Sequence, residues 1–151
     1  MAWPAGGGQS GRVARRLLSR FAAVTPERRR LLAEAAAALV AAWLLIRVRP
    51  FLKTLAFGQP AAGHDDGVAP RHLASAVVSA AGKLPWPMVC FPQGLALQRM
   101  LRRRGHDARL HYGIARPGEG PLKAHVWVSL DGETLVGGET AAEFREVARY
   151  P

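Results

Sequence analysis

Cys90 is the only thiol in the chain. It lies in PWPMVCFPQGLALQRMLRRRG, residues 85–105, where prolines give way to a helical pattern. Pro92 is tolerated only in a first helical turn, which sets the helix start near Cys90. At such a start, backbone N–H groups without intrahelical partners and the positive end of the helix dipole favour negative charge. Both draw a thiol toward thiolate, the nucleophilic form. The same N–H groups can hold an oxyanion forming on an attacked carbonyl. Pro92 has no N–H, so the donors would be the amides of Cys90 and its neighbours. A histidine on an adjacent strand would complete the pair, as base and then as acid to a leaving amine. Of five histidines, His125 is the best placed, in the middle of LKAHVWVSL (122–130). Structural cysteines and core histidines share these placements, so the pair gains weight only from its context.

The elements that must position the pair follow from pattern. Residues 25–50 form the first strong helix: Thr25 suits the N-cap, Pro26 the first helical position, Glu27 the first turn, and Pro50 ends it. Its apolar run, Ala35 to Ile46, holds twelve residues. A spanning helix needs roughly 20, so a core helix or one docked on a partner is expected rather than a membrane span. Residues 57–68 read as a loop, in which His64, Asp65 and Asp66 form a solvated turn rather than a metal site. APRHLASAVVSAAGKLP predicts a short helix with Ala74, Val77, Val78 and Ala81 on one face. In the Cys90 helix, Cys90, Gly94, Leu97 and Leu101 share the inward face, and Gly105 supplies the stop. ARLHYGIA (108–115) and LKAHVWVSL alternate as strands, with Ala124, Val126, Val128 and Leu130 on one face and Lys123, His125, Trp127 and Ser129 on the other. Asp131-Gly132 marks a two-residue hairpin, ETLVGG returns, and residues 141–149 read as a short helix.

A length of 151 residues favours one domain with a real core. The division expected is a flexible basic segment, 1–24, Gly-rich over its first eleven residues, then a single domain over 25–151 with its catalytic core at 85–138. One cysteine excludes an internal disulfide, no Cys/His cluster has zinc spacing, and a reducing cytoplasm suits the pattern. The first residues contain no unbroken apolar stretch of secretory length. A net charge of +10 attracts anionic partners, yet no aromatic-interleaved basic groove accompanies it.

The stretch from Pro85 to Gly138 resembles the stand-alone peptidase half of the B protein of bacterial lasso peptide biosynthesis. Cys-x-Pro at a helix start, LALQRMLRRRG, the Leu-x-x-Gly strand LHYGIA and AHVWVSLDG carry the likeness. RRRLLAEAAAALVAAWLLIRVRPFLKTLAFG resembles that family's N-terminal helix, so the likeness covers residues 28–138. The resemblance implies an α+β, papain-like/transglutaminase-like core, with N-terminal helices packed on a small antiparallel sheet. It implies a cysteine peptidase, without metal or cofactor, that removes the leader of a lasso precursor peptide. Cys90 occupies the position of the nucleophile and His125 that of the base. Implied partners are that precursor, a small leader-recognition protein and an asparagine-synthetase-like cyclase; nucleic acid is not among them.

The family has a Cys-His-Asp triad, and here the third member is open. Asp131 is the first acid after His125, but six residues of strand put it about 20 Å away. A two-residue hairpin pairs Leu130 with Glu133 and sets Gly138 opposite His125. Glu139 is the nearest acid, and a bulge in the glycine pair would swing it inward. A backbone carbonyl or a water are the other orienters, with Glu139 ahead of Asp131. Two rival functions stand beside the peptidase: an inactive binding scaffold of the same fold and a basic nucleic-acid-binding domain. Acyl transfer to an amine would use the same two residues.

Overall fold

The computed structural model describes residues 25–61, 63–115, 118 and 120–151, so the expected flexible segment 1–24 lies outside the described residues. The chain divides after Arg30, and Leu31 to Pro151 form the larger unit. Thr25 Oγ1 accepts the Arg28 N–H at 3.2 Å and so caps α1, Pro26–Val48. Leu31, Ala35, Ala38, Leu39 and Ala42 form the buried stripe of α1, at helical steps of three and four. By length and composition alone α1 could cross a membrane, with a mean hydropathy of 2.0 over its 18-residue window, 28% of which is buried inside the protein.

Pro50 ends α1, as expected, but its extended backbone also leads into a helix the sequence reading lacked, α2 at Phe51–Gly58. Eight residues after a proline break carry too little periodicity to declare themselves. Helix α3 spans Pro70–Ala81 and buries Leu73, Ala74, Ala76, Val77 and Ala80, whereas Val78 is exposed, so its inner face is rotated from the one expected. Helix α4, Cys90–Arg102, buries Gly94, Leu97 and Leu101, and Gly105 takes the left-handed conformation just beyond it, at φ +83°.

Four antiparallel strands form one sheet in the order β3-β2-β1-β4: β1 Arg109–Ala115, β2 Lys123–Leu130, β3 Glu133–Val136 and β4 Arg145–Tyr150. Strand β4 corrects the expectation of a helix over 141–149. Only a short 3-10 turn, Ala141–Glu143, forms there; Phe144 turns extended and β4 pairs with β1. AAEFREVARY suits a helix locally, but pairing with a distant strand outweighs that preference. The layered result, helices on one face of a small antiparallel sheet, is α+β.

The β2–β3 hairpin turns at Asp131 and Gly132, both at positive φ, and Leu130 pairs with Glu133 as expected. The bulge is elsewhere. Ser129 pairs with Thr134 and Val128 with Val136, so Leu135 is the extra residue, rather than one of the two glycines.

Candidate active site

Helix α4 docks on β2 through a missing side chain. A Cβ at Gly94 would come within 2.7 Å of Val126 Cγ1 and 3.3 Å of Leu110 Cδ1. Only hydrogen fits there, so the helix presses on the strand beside His125, one turn below Cys90. The segment leading into Cys90 is held from several sides. Trp86 stacks on Trp43 of α1 at 5.0 Å, Phe91 on Phe51 of α2 at 5.4 Å, and the Gln93 side-chain amide donates to the Met88 carbonyl. Cys90 itself is half-buried and packs on the rim of the core.

The Val89 backbone is extended and its carbonyl accepts the Gln93 N–H at 3.5 Å, which opens α4 at Cys90. With Gln93 bonded and Pro92 lacking a donor, the amides of Cys90 and Phe91 have no backbone partner among the described residues. That pair of donors is what an oxyanion requires.

His125 is half-buried near the start of β2, paired with Gly113 of β1. Its Nε2 lies 2.7 Å from the carbonyl oxygen of Gly137, and the Thr140 hydroxyl is 3.4 Å from the same nitrogen. A carbonyl only accepts, so Nε2 carries a proton, and in the neutral ring the lone pair is on Nδ1. Nδ1 forms no hydrogen bond among the described residues and is not sealed from solvent. The ring stacks on Trp127 at 6.1 Å and meets Phe144 at 5.0 Å.

Sequence reasoning leaves a backbone carbonyl open as orienter but does not assign it to Gly137. Its φ is +78°, and a Cβ there would stand 2.6 Å from the Val126 carbonyl oxygen. Both facts demand glycine, and it is this residue's carbonyl that His125 reaches. The signal that could have placed it was the glycine pair after a short strand. Neither Glu139 nor Asp131 bonds to His125 among the described residues. Asp131 sits in the hairpin turn at φ +50°.

The structure brings the Cys90 helix onto the His125 strand but joins the two side chains by no hydrogen bond among the described residues. Helix α4 covers the face that carries Val126 and Val128, and His125 lies with Trp127 on the other. Arg104, two residues past α4, does not lie on a solvated face. Arg104 is buried; it grips both carboxylate oxygens of Glu34 at 2.8 and 2.9 Å, Asp66 at 2.9 Å and the Met100 carbonyl at 3.1 Å. Asp65 caps the Gly67 N–H, so the acidic loop is spent on structure.

No curated protein and no solved structure matches this chain. A thiol at a helix entrance, a histidine on the strand beneath and the α+β layering accord with its match, over residues 31–149, to the Transglutaminase-like superfamily, which includes cysteine peptidases; the chain belongs to that superfamily.

Proposed function

We propose that this chain is a cysteine peptidase that removes the leader from a lasso precursor peptide, with Cys90 as nucleophile and His125 as base. The observation that carries the proposal is the 2.7 Å bond from His125 Nε2 to Gly137. It leaves Nδ1 as the basic nitrogen on the strand where the only thiol-bearing helix docks. Nδ1 takes the thiol proton and Sγ attacks the scissile carbonyl, forming the C–S bond. The amides of Cys90 and Phe91 receive the oxyanion. Collapse breaks the C–N bond, and the imidazolium protonates the departing amine. Water then attacks the thioester, returns a proton through Nδ1 and releases the leader acid and the thiol. Proton transfer needs Nδ1 and Sγ to meet; because His125 lies on the sheet face away from α4, the start of β2 must turn toward the helix entrance when substrate is seated.

A small leader-recognition protein would supply affinity for the leader and so raise the local concentration of the cleavage site. The outward residues of α1 and the start of α2, including Leu44, Val48 and Leu52, are exposed and would receive it. One observation favours a catalytically silent scaffold instead: a neutral carbonyl, not a carboxylate, orients the imidazole.

Precursor peptide incubated with the chain, with and without the recognition protein, separates the two by mass spectrometry. Cleavage by wild type and none by Cys90→Ala supports the peptidase. Equal cleavage by both, or none by either with the partner present, overturns it.

A further inference from the structure

The face of the sheet away from α4 carries a second histidine, bonded at both ring nitrogens. His111 is 7% exposed. Its Nδ1 is 2.9 Å from Glu146 Oε2 and its Nε2 is 2.6 Å from Ser129 Oγ. Glu146 is held in turn by Arg149, whose Nε donates to Oε1 at 3.0 Å. A β-bulge at Val147 sets Glu146 opposite Gly113, within diagonal reach of His111. The His111 ring lies parallel to the Trp127 indole, 5.3 Å away with 4° between planes. His125 stacks on the same indole.

The indole has one seat. A Cβ at Gly113 would stand 2.8 Å from Trp127 Cζ3 and 2.9 Å from Phe144 Cβ, so only glycine lets the two rings lie on the sheet beside His125. A carbonyl holds His125 by one hydrogen bond at Nε2, which a ring free to tilt would bend and lose. The neighbouring rings set its plane, and the plane sets where Nδ1 points. An apolar residue at position 111 would fill the space equally well; a histidine bonded at both nitrogens also fixes the orientation of what packs on it.

The geometry points to His111 as a positioning residue for His125, acting through Trp127, with Glu146 and Ser129 as its anchors. The inference rests on His125 being the base, and it identifies the part of the chain that holds that base in place of a triad carboxylate.

The test uses the full chain and two probes that need no substrate. Nitrogen-15 ring spectra report the His125 tautomer, and iodoacetamide reports the Cys90 thiolate. In wild type, His125 should show one tautomer, protonated at Nε2. In His111→Ala and Glu146→Ala its two nitrogen shifts should converge, and alkylation at pH 6 should slow about tenfold or more. Glu146→Gln keeps an acceptor for Nδ1 and should restore most of both. A folded His111→Ala with wild-type His125 shifts overturns the positioning role, whatever its melting temperature. Should that variant not fold, Glu146→Ala at the exposed edge strand decides by the same spectra. Slow alkylation in wild type, with a single His125 tautomer that His111→Ala abolishes, overturns the Cys90–His125 pairing and upholds this role.

Discussion

The carbonyl oxygen of Gly137 lies 2.7 Å from Nε2 of His125, where a triad enzyme would place a carboxylate. A carbonyl fixes the tautomer but adds no negative charge to steady an imidazolium. Gly137→Ala should therefore be costly twice. A side chain at φ +78° carries roughly 1–3 kcal/mol of strain. A Cβ 2.6 Å from the Val126 oxygen must also displace the carbonyl from His125. A thermal melt should show a loss of several degrees, and the single His125 tautomer should disappear from nitrogen-15 spectra. An alanine variant with both properties unchanged would show that the glycine geometry is incidental.

Removing the base should be far worse than removing either nearby acid. His125→Ala should cut turnover by about 10² to 10⁴. Asp131→Asn and Glu139→Gln should stay near wild type, because neither carboxylate bonds to the imidazole. Steady-state kinetics on the precursor peptide decide it. A Glu139→Gln variant as slow as His125→Ala would mean that the acid swings in when substrate binds.

Most of what positions the site was legible locally. Pro92 marked the start of α4, the step from Cys90 to Gly94 marked its inner face, and Asp131-Gly132 marked the hairpin. Each is decided by residues within a few positions of one another. What failed was decided by contacts from far along the chain. Strand β4 exists because β1 accepts it, although its own residues suit a helix. The orienter of His125 is a backbone atom whose placement depends on an extra residue at Leu135, two positions before the glycine pair. Arg104 ends a run of three arginines, and its burial against Glu34 and Asp66 appears only once α1, the loop and α4 are assembled.

That arginine gives a stability prediction. Arg104→Lys keeps the charge but cannot span two oxygens of Glu34, Asp66 and the Met100 carbonyl together. The loss should be about 1–3 kcal/mol, seen in urea unfolding. The Arg104 guanidinium, by its hydrogen bond, holds the Asp66 carboxyl below its ordinary value. A depressed carboxyl contributes stability that is present above the unfolded value, about pH 4, and lost as pH falls through the folded one. Asp66 is about half exposed, at 46%, so its share is screened and small. Glu146, lowered first by its hydrogen bond from His111, adds in the same direction. Asp66→Asn should be less stable than wild type at neutral pH, with the difference narrowing below pH 4. A constant gap down to pH 2 would show that the carboxylate charge plays no part.

The contact between α4 and β2 can be opened at one atom. Gly94→Ala places a methyl group 2.7 Å from Val126 Cγ1, in a space already filled by Leu110 and Val128. Overpacking of this kind costs about 1–3 kcal/mol and is relieved by sliding the helix outward. Because Gly94 is one turn from Cys90, the slide carries the thiol with it. Stability and chemistry should fall together: a lower melting temperature, and slower alkylation of Cys90 by iodoacetamide at pH 6. Gly105→Ala is the control. It too should lower stability, since Gly105 sits at φ +83°, but nothing lies near its Cβ and it is far along the chain from Cys90. If both variants lose stability while only Gly94→Ala slows alkylation, the seating of α4 on the His125 strand is what sets the reactivity of Cys90. If the alkylation rate of Gly94→Ala is that of wild type, thiol reactivity is local to the helix entrance and the strand contributes nothing to it.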